Sequence, residues 1–483
     1  MILSACMLSA GLSLAIPSAA QEQADWPGWR GPGGNGVSSA QLPVEWSEER
    51  NLRWKTEIPG LGHSSPVAIG GRIFVTSALA TGEPGEAPER ESDAGGRGRG
   101  RGAPPAEHDF LLVAVEHGTG EVLWERVVAT GTPHEGKHGD STFASPTLIS
   151  DGERLFVSFG SMGFFAYDLE GELLWKQDLG EMTMRNSFGE GSSPTLAGDK
   201  LVILWQHEGD SYLAALNTKD GKQAWRTPRE SGSSYCTPTS VETPAGSLII
   251  VPGNTTSAYR ASDGVLAWSH ELAQPTQASG GGTEEASSDR PGRGNRGNRG
   301  GRGGRGGAPS SGGPSSSAVT HDGRIYLSSA RRGGSMLALH TTPQEAEKAE
   351  GKGAQGQLIW ALAGDTPYVP SPLYSDGLLY ALKSNGPMLM VIDGANGEVV
   401  YEGQRLTDVG ESYASPIAAG GRIYFSGRGG SFEVIQGGRE FKSLAVNELD
   451  DRFDASPGVL GNTLLLRGHR FLYCIEELGD QDD

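Results

Sequence analysis

Apolar and polar positions along the chain fall into short runs, cut at close intervals by turns rich in glycine and aspartate. Residues 144–179 show the unit most clearly: ASPTLISDGERLFVSFGSMGFFAYDLEGELLWKQDL. A Ser-Pro pair opens it and an apolar run follows. A turn at Asp151-Gly152 leads to Arg154–Phe159, and a second at Gly160–Gly163 leads to Phe164–Asp168. A third, at Glu170-Gly171, leads to Glu172–Lys176, with Trp175 near the end. β-Branched and aromatic runs between turns of this chemistry predict four short strands in one antiparallel meander.

The Ser-Pro opening recurs at Pro66, Pro146, Pro194, Pro238, Pro372, Pro416 and Pro457, with a degenerate copy ending at Ala318. These eight positions lie 80, 48, 44, 80, 54, 44 and 41 residues apart, so the bare unit is a little over 40 residues and the two long intervals mark insertions. Each unit closes on an aromatic residue: Trp124, Trp175, Trp225, Trp268, Trp360, Tyr401 and Phe441. That makes seven closings for eight openings. The last unit lacks its fourth strand, and the chain starts with a strand that lacks an opening, Asn51–Glu57 with Trp54. The two fragments complete one another, as a closed ring requires. The prediction is an all-β, eight-bladed propeller over residues 51–478, its ring closed by the N-terminal strand. Trp54 and the seven closing aromatics are expected to dock each blade on the next.

Other segments change this picture at its edges. Residues 1–20 are apolar and end in small residues, as a cleaved secretory signal does. Leu3-Ser4-Ala5-Cys6 matches a lipobox in letters, but almost no apolar run precedes Cys6. Residues 21–50 contain Asp25–Gly36, DWPGWRGPGGNG, whose Gly and Pro content predicts an extended segment that wraps a surface. Two inserts, 81–107 and 274–314, carry Arg-Gly tracts without apolar content and are expected to be disordered. In a meander ring both emerge on one face, where they could meet a polyanion or serve only as tolerated loop expansions. A third, charged insert, Pro343–Gly356, belongs to the opposite face, and residues 479–483 form an acidic tail. The net charge of −19 argues against broad nucleic-acid binding and for a soluble, self-repelling surface, expected of a monomer.

Among three cysteines, Cys6, Cys236 and Cys474, none forms a haem- or zinc-type spacing. The loop Thr132–Ser141 holds His134, Glu135, His138 and Asp140, but Gly136 and Gly139 deny it the helix on which His-x-x-x-His would grip a metal. No catalytic set and no metal site is assigned. Candidate ligand-binding positions are the residues just ahead of each opening, where the chain enters the innermost strand near the axis. His63, Phe143, Tyr235, Tyr413 and Asp454 stand there, with Glu190 and Tyr368 as immediate neighbours. Such a rim suits a planar or sugar-like ligand or a peptide; the same side chains could also simply plug a narrow channel.

Tyr167-Asp168-Leu169-Glu170-Gly171 to Trp175, Leu216-Asn217 through Asp220-Gly221 to Trp225, Ala114 through Thr119-Gly120 to Trp124, and Ile392-Asp393 through Gly397 to Tyr401 resemble the pyrroloquinoline-quinone (PQQ) type propeller repeat. With Trp26-Pro27-x-Trp29-Arg30-Gly31-Pro32, the chain is similar to exported PQQ-like repeat proteins of planctomycete-type bacteria. The resemblance implies either of two roles. One branch of the family, BamB-like, has no cofactor and binds partners in the cell envelope; the other consists of periplasmic dehydrogenases of alcohols or sugars that bind PQQ and Ca²⁺. The chain lacks the adjacent cysteine pair of many such dehydrogenases. The expectation is therefore an exported, non-catalytic binding or scaffolding propeller with protein or envelope-polymer partners and no cofactor.

Overall fold

Each repeat folds as one antiparallel sheet. In blade two its strands are Ile149–Ser150, Arg154–Ser158, Phe164–Asp168 and Leu173–Gln177. A computed structural model describes residues 25–83, 105–271, 315–328, 334–342, 354–364, 366–383 and 385–479. In it eight such sheets stand around one axis as an eight-bladed propeller. The burial pattern follows from position in the blade. Middle strands such as Lys200–Trp205 and Tyr212–Asn217 are nearly continuous buried runs, because a neighbouring blade covers each face. Outer strands such as Leu52–Glu57 alternate, since one face meets water.

Ring closure is as the sequence predicts. Leu52–Glu57 pairs antiparallel with Phe471–Ile475 and becomes the outer strand of blade eight. The first insert interrupts blade one between Arg72–Ala80 and His108–Glu116, and the second separates Leu266–Glu271 from Val319–His321. The Arg-Gly tracts themselves, the signal segment at 1–20 and nearly all of the acidic tail lie outside the described residues. Part of the third insert, Ala354–Gln355, pairs parallel with Trp268 and Ser269 and adds a fifth strand to blade four.

The N-terminal segment is extended and lies across the axis, on the inner strands of several blades. Trp26 pairs with Ala68 of blade one, and Pro27 O accepts from Ser150 N of blade two. Arg30 Nη1 donates to Pro372 O of blade six, and Val37–Ser38 pairs parallel with Ala418–Ala419, the innermost strand of blade seven. Its unpaired backbone groups thus find partners on inner strands, which is what lets an irregular segment be buried.

The tryptophans dock the blades. Each sits opposite a small residue of the preceding strand: Trp54 opposite Cys474, Trp124 opposite Ala114, Trp175 opposite Ala166, Trp225 opposite Ala215, Trp268 opposite Ala258 and Trp360 opposite Ala338. The indole N–H of five of them donates to a carbonyl of the next blade's turn, as Trp175 does to Thr218 O at 2.9 Å. The ring lies flat on the glycine of that turn. A Cβ on Gly221, at φ +68°, would stand 2.6 Å from Trp175, so glycine serves both the backbone angle and the approach.

Blade seven departs from the repeat reading. Tyr401 does occupy the outer-strand position of blade six, opposite Val391. In blade seven that position is Ala445, opposite Val434; Phe441 precedes the strand and meets Tyr401 edge-on. The missing indole comes from the N-terminal segment. Trp46 lies 6.4 Å from Tyr424, matching the 5.8, 6.0 and 6.1 Å of the pairs Phe74–Trp124, Phe156–Trp175 and Tyr326–Trp360. Leu42 O accepts from Arg422 and Tyr424 as Gly394 O accepts from Arg324 and Tyr326. The segment therefore replaces both the turn and the tryptophan that blade seven needs. Trp46→Ala should destabilise the chain by about 3–5 kcal/mol, as expected for a buried indole and as much as Trp360→Ala. Urea unfolding checks this; a change no larger than that of an exposed-site variant would remove Trp46 from this role.

Candidate functional site

One hydroxyl per blade forms a belt around the axis. Ser65 N donates to Thr147 Oγ1 at 2.9 Å, Thr147 N to Ser193 Oγ at 2.9 Å and Ser193 N to Thr237 Oγ1 at 3.2 Å. Thr237 N donates to Ser317 Oγ at 2.8 Å, Ser317 N to Ser371 Oγ, Ser371 N to Ser415 Oγ and Ser415 N to Ser456 Oγ, each at 2.9 Å. The seven hydroxyls from Thr147 to Ser456 each accept from a neighbouring blade, so their own protons stay available to donate. Trp29 from the axial segment lines the same space and donates Nε1 to Ser456 Oγ at 3.3 Å.

Around the belt lies a cavity of about 440 Å³. Tyr235, Tyr368, Tyr413 and Phe188 supply its aromatic wall, and His63, His138, Asp140 and Asp454 its titratable groups. Tyr368 and Phe188 are exposed, so the cavity is a cup whose rim reaches solvent. Tyr235 Oη is buried with no hydrogen-bond partner among the described residues.

Five of the seven candidate positions, His63, Tyr235, Tyr368, Tyr413 and Asp454, line the cup. Phe143 and Glu190 do not. Blade two enters its inner strand two residues late: Thr147, after the proline, takes the belt position, and Ser145 takes the rim place expected for Phe143. Phe143 turns outward, 4.9 Å edge-on from His108 and beneath Lys137. With Glu190 it lines a separate small cavity of about 30 Å³. His134 and Glu135 also face that way, binding Met182 O and Met184 N, so the four titratable residues of Thr132–Ser141 do not converge.

The strongest electrostatic feature surrounds Asp454. Arg428 Nε donates to Oδ1 at 2.5 Å and Arg452 Nε to Oδ2 at 3.0 Å. Both guanidinium groups also reach Asp140 Oδ1, and Arg428 binds Glu411 and lies 3.8 Å from the Tyr413 ring centre. Burial pushes the Asp454 carboxyl up, but His469, His63 and Arg428 together hold it below its ordinary value. His63 Nε2, His469 Nε2 and Asp454 Oδ2 meet at 3.2, 3.1 and 3.4 Å from one another. Burial holds His63 neutral, down to about 4, against the pull of Asp454. Sequence reasoning missed His469, Arg428, Arg452 and Trp29. His469 and Arg428 sit in the turns between strands two and three of blades eight and seven, which open on the same face as the first insert. Charged residues in those turns were the available signal.

Residues 108–289 match the family model described as outer membrane protein assembly factor BamB. Over that stretch the chain is similar to this PQQ-like repeat family, and its fold is an eight-bladed propeller. BamB from Moraxella catarrhalis superposes with a TM-score of 0.53 at 10% identity, over 88% of this chain and 99% of that one. A europium-containing methanol dehydrogenase does so with a TM-score of 0.58 at 12% identity, over 93% and 89%. The quinohemoprotein alcohol dehydrogenase from Comamonas testosteroni gives 0.57 at 10% identity, over 95% and 82%. No curated protein matches the chain in sequence. At these identities the likenesses show the shared propeller fold. Among the described residues, no helix is long and apolar enough to cross a membrane.

Glu190 offers a pH test of this geometry. Burial raises its carboxyl to about 7, opposed by hydrogen bonds from Ser161 N and Oγ. An unfolded glutamate titrates near ~4.3, so between those values the folded chain holds a proton that the unfolded chain has released. This site's contribution to stability therefore falls as pH rises from about 4 to about 7 and stays low above. Glu190→Gln should gain on the wild type by on the order of 1–3 kcal/mol between pH 5 and pH 8. Chemical unfolding at both pH values checks it; a constant gap would mean an ordinary carboxylate.

Proposed function

We propose that this PQQ-like propeller is an exported, non-catalytic binding protein of the cell envelope, and that it takes a sugar-like or peptide portion of its partner into the axial cup. The observation that carries this reading is the cup itself. The axial segment places Trp29 against the belt, and above it stand free hydroxyl protons, three tyrosines and an unpartnered Tyr235 hydroxyl. Aromatic faces with interspersed donors and acceptors suit a polar, oxygen-rich ring or a peptide.

The lining does not fit the PQQ and Ca²⁺ pair. Calcium takes six to eight oxygen ligands. The cup's carboxylates are Asp140 and Asp454, and both are engaged by Arg428 and Arg452. PQQ itself carries three carboxylates, yet no lysine or arginine lines the cup among the described residues. The nitrogens of His63 and His469 beside Asp454 are likewise not calcium donors.

Co-sedimentation of the purified chain with peptidoglycan sacculi, and a peptide array for protein partners, tests the reading. Tyr368→Ala removes an exposed rim aromatic and should weaken binding about tenfold, near 1.4 kcal/mol, without shifting thermal stability. Binding that Tyr368→Ala and Tyr413→Phe leave intact would move the site away from the cup. Dye-linked turnover of an alcohol or sugar after reconstitution with PQQ and Ca²⁺ would overturn the non-catalytic reading.

A further inference from the structure

We propose that His63, His469 and Asp454 form a site for one divalent transition-metal ion in the wall of the cup, independent of whether the cup takes an organic ligand. The three donor atoms, two imidazole Nε2 and one carboxylate oxygen, are separated by 3.1–3.4 Å. Ligands about 2.1 Å from an ion lie about 3.0 Å apart at octahedral angles and about 3.4 Å apart at tetrahedral ones. The triangle therefore has the size of one face of a coordination shell.

Hydrogen bonding satisfies this trio only when one Nε2 carries a proton and the other does not. If both Nε2 atoms carry protons, two N–H donors face each other at 3.2 Å and crowd one carboxylate oxygen that already accepts from Arg452. If neither does, three lone pairs converge with nothing between them. A shared cation would hold all three donor atoms without requiring that unequal pair of tautomers.

The surroundings are those of a positioned ligand set. Arg428 Nε fixes Asp454 Oδ1, which leaves Oδ2 turned to the histidines, and Asp140 and Glu411 hold Arg428 in turn. Outer-shell hydrogen bonds of this kind orient metal-bound carboxylates. Lys137, Arg428 and Arg452 place positive charge nearby, offset by Asp140 and Glu411. That balance favours an exchangeable ion over a closed structural site. His63 and Asp454 both line the cup, so the remaining coordination positions face its interior, open to water or to a ligand oxygen. Two nitrogens and one carboxylate select Zn²⁺, Co²⁺, Fe²⁺ or Mn²⁺ over Ca²⁺.

The test uses the full chain without a polyhistidine tag. Co²⁺ titration should give visible d–d bands that saturate at one ion per chain and disappear on adding Zn²⁺. His469→Gln, the most exposed of the three, should weaken Co²⁺ binding tenfold or more with an unchanged near-UV circular dichroism spectrum. Glu135→Gln, on the neighbouring loop, should leave it unchanged. The wild type failing to bind Co²⁺ or Zn²⁺ stoichiometrically, or His469→Gln binding Co²⁺ as tightly as wild type, would overturn the proposal. No sugar or peptide enters this assay, so its failure is distinct from failure of the binding reading above.

Discussion

The belt of backbone N–H to hydroxyl bonds is the constraint on which the rest depends. At the centre of a propeller, innermost strands from neighbouring blades approach without a shared ladder, and each would leave buried N–H groups unpaired. A short hydroxyl side chain at one position per blade solves this, and seven links of 2.8–3.2 Å run from Ser65 to Ser456. The requirement fixes residue type at that position and leaves the residue two places earlier free to vary. The chemistry of the cup lies in that freedom: His63, Tyr235, Tyr413 and Asp454 stand two residues ahead of Ser65, Thr237, Ser415 and Ser456.

The repeat was legible because turn chemistry and strand period are local properties. Glycines such as Gly221 are demanded both by backbone angle and by an indole 2.6 Å from where a Cβ would be. The misplacement of Phe143 has an equally physical origin. Blade two carries a Ser-Pro pair in the ordinary spacing, but Thr147 also offers a hydroxyl, and the strand uses that one. Two residues of slip keep the same face of the strand toward the axis, so alternation gave no warning. Phe441 differs for a related reason: it is an aromatic near the expected distance, but the docking indole is that of Trp46, some four hundred positions away in sequence. His469 and Arg428 occur once each, in turns of blades eight and seven close to Asp454, and the closed ring brings His63 of blade one to meet them.

The N-terminal segment joins these threads. Its glycines and prolines announce extended structure but not its location. Laid across the axis, it supplies Trp29 to the cup, Trp46 to blade seven and the outer strand to blade eight. Blade closure and the floor of the site are thus made by one continuous piece of chain, so a change that loosens the segment reaches the cup without touching a lining residue.

The ionic cluster on Asp454 is better understood as positioning than as stability. A buried ion pair gains little net free energy, because desolvating its charges offsets their attraction. Here Asp140 from blade two, Arg428 from blade seven and Arg452 with Asp454 from blade eight meet at one point of the wall. Hydrophobic side chains would join those blades at least as well. What they would not do is hold a carboxylate with one oxygen fixed by Arg428 and the other turned toward two imidazoles. The cluster supplies orientation, and orientation of a charged donor toward an open cup is a requirement of binding, whether the guest is an ion or a polar ligand.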